Sequence, residues 1–286
     1  VTRADFYVSF EADLSRFSAQ TETPLPIPDS AIPAREALGH PAFDINELSN
    51  PQGVGGVEND IGLLFLDVPV DGVIPEVVIT AEEGRSLQTG ATVRIAGWGQ
   101  QTSTPPGQQP PEGSVGVKQC GDATINELGE ALMQIGGDAT TTRKCRGDSG
   151  GPTYVALDDD AKIARRVIGV TSRAYDQSDC NKGGVDTRVD AFLEFIDAEM
   201  SARCADGRRA WCDVPGVLSE DDVYALAHPD DGKVDGDGGD EDDDAARDNG
   251  DDLAEPPGCA AASATPAFVG ALAGLAALAL RRKRRC

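Results

Sequence analysis

Histidine is nearly missing from this chain, with two in 286 residues, His40 and His228. Methionine is as scarce, at Met133 and Met200, so a chain that begins at Val1 is expected to be a processed product or one cut from a longer sequence. No signal peptide is visible, and on that expectation its absence says little about localisation. Basic residues are also in short supply, 25 Lys and Arg against 49 Asp and Glu, for a formal net charge of −24. Such a chain repels phosphate rather than displacing its counterions, which excludes a nucleic-acid binder working through a general basic surface. Composition excludes a coiled coil or a collagen as well. Metal-ligand spacing is lacking too: Cys204 and Cys212 form a Cys-x7-Cys pair with no His beside it, a poor zinc site. No metal or cofactor is expected.

What is present divides the chain. The first 200 or so residues have ordinary globular composition and are long enough to bury a sizeable core. Short apolar runs at Tyr7 to Phe10, Ile61 to Val68, Thr92 to Ala96 and Arg166 to Thr171 alternate with Gly, Pro, Asn and Asp clusters, the pattern of an all-β barrel or sandwich. Gln101 to Gly113, with four prolines, reads as a surface loop. One helix is predicted, Asp190 to Ala202, where Val189, Phe192, Leu193, Ile196 and Met200 recur at three- and four-residue spacing. Beyond it, Glu220 to Glu255 carries 16 acidic residues against Lys233 and Arg247. That segment has almost nothing to bury and reads as a solvated, self-repelling spacer. Ala260 to Leu280 is then 21 residues without a charge, followed by Arg281, Arg282, Lys283, Arg284 and Arg285. An apolar span ending in a cationic cluster predicts a membrane-directed helix with everything before it outside.

The sharpest chemical signal is Gly147-Asp148-Ser149-Gly150-Gly151-Pro152. A Ser between glycines in a tight turn presents its hydroxyl uncrowded, and consecutive N–H groups there can meet a developing oxyanion. The hexapeptide resembles the nucleophile motif of the chymotrypsin-like (trypsin-like) serine proteases. Three further segments fall in the order that family requires. Asn59-Asp60-Ile61-Gly62-Leu63-Leu64 resembles the segment with the triad Asp, Ala96-Gly97-Trp98-Gly99 resembles the strand that follows, and Gly184-Val185-Asp186-Thr187-Arg188-Val189 resembles the strand leading to the final helix.

The resemblance implies two six-stranded antiparallel β-barrels, the first incomplete here, and a serine endopeptidase that cleaves protein or peptide substrates through an acyl-enzyme. It implies Ser149 as nucleophile, the N–H groups of Gly147 and Ser149 as oxyanion hole, Asp60 as the carboxylate that orients a His, and Asp148 as the partner of an activation ammonium. The His itself is the difficulty. His228 lies in the acidic tail, and His40-Pro41-Ala42-Phe43-Asp44 resembles the family's non-catalytic His-Pro segment. The catalytic His of the family lies further upstream of the Asp, and Val8-Ser9-Phe10 resembles the strand just after it. The expectation is an N-terminally truncated protease, inactive as written for want of a general base. The alternative is a non-catalytic, protease-like surface binding module.

By resemblance, Arg143 stands at the base of the specificity pocket, with Ala174 and Gly184 as small wall residues. A basic floor would favour acidic side chains, unless Arg143 points away or pairs with Asp186. Cys145 and Cys180 match a family bridge, and Cys204 and Cys212 are close enough for a local loop, which together imply an oxidising compartment. Cys120 has no obvious partner. Gly258-Cys259, the apolar run and the arginines resemble the MYXO-CTERM class of sorting signals, which implies a sorting protease acting near Cys259. The expected organisation is a protease domain over 1–202, a disulfide loop over 203–219, an acidic disordered linker over 220–258 and a sorting or transmembrane segment over 259–286. The protein is expected to be secreted or displayed at a bacterial outer surface.

Overall fold

A computed structural model describes residues 6–15, 27–49, 53–205 and 220–227, apart from short breaks at 69, 71–72, 74, 102–103, 105–107, 109, 112, 139, 158–163 and 177–178. The strands are β1 (Tyr7–Val8), β2 (Ile32–Gly39), β3 (Gly62–Leu66), β4 (Thr92–Gly97), β5 (Gln119–Leu128), β6 (Leu132–Ile135), β7 (Pro152–Ala156), β8 (Arg165–Ala174) and β9 (Gly184–Arg188). Among the described residues three α-helices accompany them, α1 (Ala81–Gly84), α2 (Leu193–Ala205) and α3 (Glu220–Ala227).

Six strands close into one antiparallel barrel in the order β4-β5-β6-β9-β8-β7. Pairing of Arg94 with Tyr154 and of Ile95 with Thr153 joins β4 to β7 and shuts the ring. Alternation along β4 and β5 sends Val93, Ile95, Ala123 and Ile125 inward, where they meet Met133, Ile135 and Ile168. Each fully buried Ile contributes roughly 1.5–3 kcal/mol of burial, so the barrel interior is the stabilising centre. Every residue of β6 is buried, because its neighbours β5 and β9 cover both edges.

The expectation of two six-stranded barrels is corrected here. Among the described residues there is one closed barrel, and β1, β2 and β3 form an open three-stranded sheet. Three strands, one of them two residues long, do not reach the number and tilt that closure needs. The open sheet accordingly leaves Tyr7 and Leu64 more than 40% exposed.

The predicted helix begins as a 3-10 turn over Val189–Phe192 and becomes α over Leu193–Ala205. It docks on the open sheet as well as the barrel. Phe192 packs with Ile61 and Ala131, while Arg203 bonds Glu36 at 2.6 Å and lies 3.8 Å over the Phe65 ring. Helix α3, with Val223 buried, falls within the segment read from sequence as spacer.

The membrane-directed helix is also corrected. No helix among the described residues is long and apolar enough to cross a membrane, and the tail over 259–286, with Cys259, lies outside the described residues. The expected membrane partner and membrane-directed display at a bacterial outer surface therefore have no helix to carry them among the described residues.

Candidate active site

The turn from Cys145 to Gly150 joins β6 to β7 and is shaped by two requirements for glycine. Gly147 has φ +93°, a conformation that a side chain disfavours. Gly99, after the end of β4, comes so close to Asp148 that a Cβ there would sit 2.6 Å from the carboxylate carbon. The Gly-rich nucleophile motif and the Ala-Gly-Trp-Gly motif are therefore two sides of one contact. Asp148 accepts from the N–H groups of Gly99 and Cys145, each at 2.8 Å, so backbone donors fill the place expected for an ammonium. Burial pushes its carboxyl above the ordinary value, against the opposing pull of those two bonds.

Asp60 lies two residues before β3 of the open sheet, but its partners belong to the barrel. The Ser172 hydroxyl of β8 donates to Asp60 Oδ2 at 2.7 Å, and Thr187 Oγ1 of β9 donates to the Asp60 carbonyl at 2.8 Å. Asn59 takes φ +50°, which Asn tolerates better than most residues, and this bend delivers Asp60 to the barrel. Ser149 Oγ, exposed, donates to the Ser172 carbonyl at 3.5 Å, a long contact. Ser172 thus touches both expected triad members.

A cavity of about 270 Å³ opens beside Ser149, lined among others by Gly147, Ser172, Ala174, Gly184 and Lys144. Among the described residues, neither the N–H of Gly147 nor that of Ser149 has a hydrogen-bond partner, which leaves both as donors for an oxyanion. Arg143 does not line the cavity; its guanidinium bonds the Asp138 carbonyl at 3.2 Å and Asn181 Oδ1 at 3.0 Å. Asp186 pairs instead with Lys144, over 2.7 Å, with both side chains buried. Cys145 and Cys180 are joined by a disulfide, tying the turn that carries Ser149 to the segment before β9. Cys120 and Cys204 are each disulfide-bonded as well, though not shown bonded to one another, and Cys212 lies outside the described residues.

Among the described residues no histidine lines the cavity beside Ser149. His40 stacks edge-on against Phe192 and Phe195, at 5.4 and 4.8 Å between centroids, and its Nδ1 accepts from the Ala42 N–H. His228 lies outside the described residues.

Sequence reasoning missed Ser172, Glu58 and Arg173. Nothing marks Ser172 locally, since its importance comes from where β8 runs. Arg173, the next residue, bonds both oxygens of Glu58 and the Gly53 carbonyl, with Arg173 and Glu58 both buried. This second buried pair clamps the segment before Asp60 onto the barrel.

A family model described as Trypsin matches residues 30–196. A trypsin of Phaedon cochleariae is 30% identical over 182 residues, covering 57% of this chain and 59% of that protein. Serine protease 56 of Homo sapiens is 29% identical over 178 residues, covering 60% of this chain and 28% of the relative. The chain thus spans little more than half of one relative and under a third of the other. Among solved structures, neuropsin, a serine protease of mouse brain, matches with a TM-score of 0.42 and 24% identity, over 59% of this chain and 72% of the other. With more than half of its residues matched by that family model, the chain belongs to the trypsin family of serine proteases.

Proposed function

We propose that the protein is a serine endopeptidase in which Ser149 attacks the scissile carbonyl and the N–H groups of Gly147 and Ser149 hold the oxyanion. Asp60 is the carboxylate that orients the base and stabilises its imidazolium. The observation that carries this reading is Ser172, whose hydroxyl meets Asp60 at 2.7 Å and whose carbonyl faces Ser149 at 3.5 Å. The base is an imidazole other than His40, whose ring is held between Phe192 and Phe195. Among the described residues no imidazole is placed as that base, and this chain is expected to hydrolyse peptides no faster than Ser149→Ala. Asp148 is the half-buried carboxylate that an activation ammonium would reach by displacing the N–H groups of Gly99 and Cys145.

The placement of His40 favours one other reading, a non-catalytic module that keeps the fold for binding. A fluorophosphonate probe on the full-length protein separates the two, because only an activated Ser149 reacts quickly. Rapid labelling that maps to Ser149 and disappears in Ser149→Ala is the expected result. Labelling no faster than that of Ser149→Ala sinks the enzyme reading and leaves the binding module.

A further inference from the structure

Resting on the reading of the Ser149 cavity as the site that receives substrate, we propose that the buried Lys144–Asp186 pair makes this cavity select an uncharged side chain at the cleaved residue, against both cationic and anionic ones. Lys144 Nζ donates to Thr153 Oγ1 and Thr171 Oγ1, each at 2.6 Å, and to Asp186 Oδ1 and Oδ2 at 2.8 and 2.7 Å. Thr153 Oγ1 also donates to Asp186 Oδ2, at 2.5 Å. These partners use all three ammonium protons, and Asp186 is 0% exposed, so neither charge has a free direction towards the cavity.

What Lys144 presents to a ligand is its methylene stem. A Cβ placed on Gly184 would lie 3.2 Å from Lys144 Cβ and 3.5 Å from Cδ, so the stem runs against the wall formed by Gly184 while the ammonium turns into the barrel. Where Lys144 lines it, beside Thr171 and Ser172, the cavity is therefore apolar on its face and electrically neutral behind it. A charged side chain entering would shed its hydration and find no counter-charge, whereas an uncharged one has little hydration to lose. Arg143 alters nothing at the floor, because its guanidinium bonds Asp138 and Asn181 outside the cavity. The other cations on the lining sit elsewhere. Arg173 is held by Glu58, and Arg146 is exposed at the mouth, where solvent and salt screen it.

Three near-isosteres test the proposal: benzamide, benzamidine and benzoate, titrated into the full-length protein and followed through the amide signals of Ser172 and Gly184. Benzamide is expected to bind at least tenfold more tightly than either ion. Benzamidine or benzoate first, equal affinities, or no binding by any of the three overturns it. In Lys144→Met the unpaired Asp186 is expected to raise benzamidine affinity at least tenfold, and in Asp186→Asn the unpaired Lys144 to do the same for benzoate. Should either variant fail to fold, the ranking on the unmodified protein still decides. Binding needs no acyl transfer, so the two readings fail separately. A protein that ignores the fluorophosphonate but ranks benzamide first loses the protease assignment alone, and one that labels but prefers an ion loses only this proposal.

Discussion

The Ser172 hydroxyl donates to Asp60 Oδ2 over 2.7 Å, tying the residue at the mouth of the open sheet to a strand of the closed barrel. Because the carbonyl of the same Ser172 faces Ser149, the two halves of the site share one residue as their spacer. The bond to Asp60 holds the carboxylate at a fixed angle. Its loss should be felt in both stability and reactivity.

Ser172→Ala removes a hydrogen bond to a carboxylate, a change worth about 1.5–3 kcal/mol. A lower urea midpoint is expected, together with fluorophosphonate labelling of the full-length protein slowed by about tenfold, since each 1.36 kcal/mol of lost orientation is a factor of ten. Unchanged labelling would mean that Asp60 is held well enough by Thr187 and the Asn59 bend.

Glu58→Gln strands the Arg173 guanidinium, whose side chain is 4% exposed, without its counter-charge. Breaking one side of such a pair costs about 3–5 kcal/mol, while removing both partners costs much less. A double-mutant cycle by urea unfolding, with Arg173→Met as the second arm, should therefore show the double variant more stable than Glu58→Gln alone. Simple additivity would show that the two do not act as a pair.

The Cys145–Cys180 bridge closes a loop across 35 positions of sequence. Chain entropy assigns a crosslink of that span about 4 kcal/mol. Cys145→Ala with Cys180→Ala should lower the unfolding temperature and broaden the Ser172 and Gly184 amide signals, because the wall of the cavity loses its tether. A variant as stable as the parent would show that the barrel alone holds the turn.

Asp148 supplies a pH dependence. Burial raises its carboxyl above the ordinary 3.8, so the folded state binds that proton more tightly than the unfolded chain. Its stabilising contribution is then complete below pH 3.8 and declines as pH rises through the folded-state value. Urea midpoints measured from acid to neutral pH should carry this downward term in the parent and lose it in Asp148→Asn. Parallel profiles would assign the slope to other groups.

How much of this was legible in the sequence varies residue by residue. Strands β4 and β8 were visible because Thr92 to Ala96 and Arg166 to Thr171 are short runs rich in Val and Ile between turn-forming clusters. Strand β2 was not: Ile32–Gly39 holds a Pro, an Arg and a Glu, and its partly exposed positions carry no clean period of two. Its pairing to β3, not its composition, makes it a strand. The nucleophile turn was legible because Gly147 and Gly99 are required by backbone geometry and close approach, which leave a trace in local sequence. Ser172 left none, because its role depends on a partner 112 positions away. The cavity floor was half legible. Asp186 was weighed as a partner for Arg143, but the structure pairs it with Lys144, because which side chain points into the barrel is set by the fold.

By itself the sequence determined the order of the motifs, the short strands of the barrel, the acidity of the whole and the identity of Ser149 and Asp60 as the residues to watch. These are local properties: periodicity, turn chemistry and charge are written in neighbouring residues. Tertiary structure alone decided that one sheet closes and the other stays open, that His40 turns to Phe192 and Phe195, and that Lys144 meets Asp186 beneath the cavity. Each of those outcomes depends on groups far apart in the chain meeting in space. Closure needs enough strands to complete a ring, and a buried charge is tolerated only where the fold brings its counter-charge.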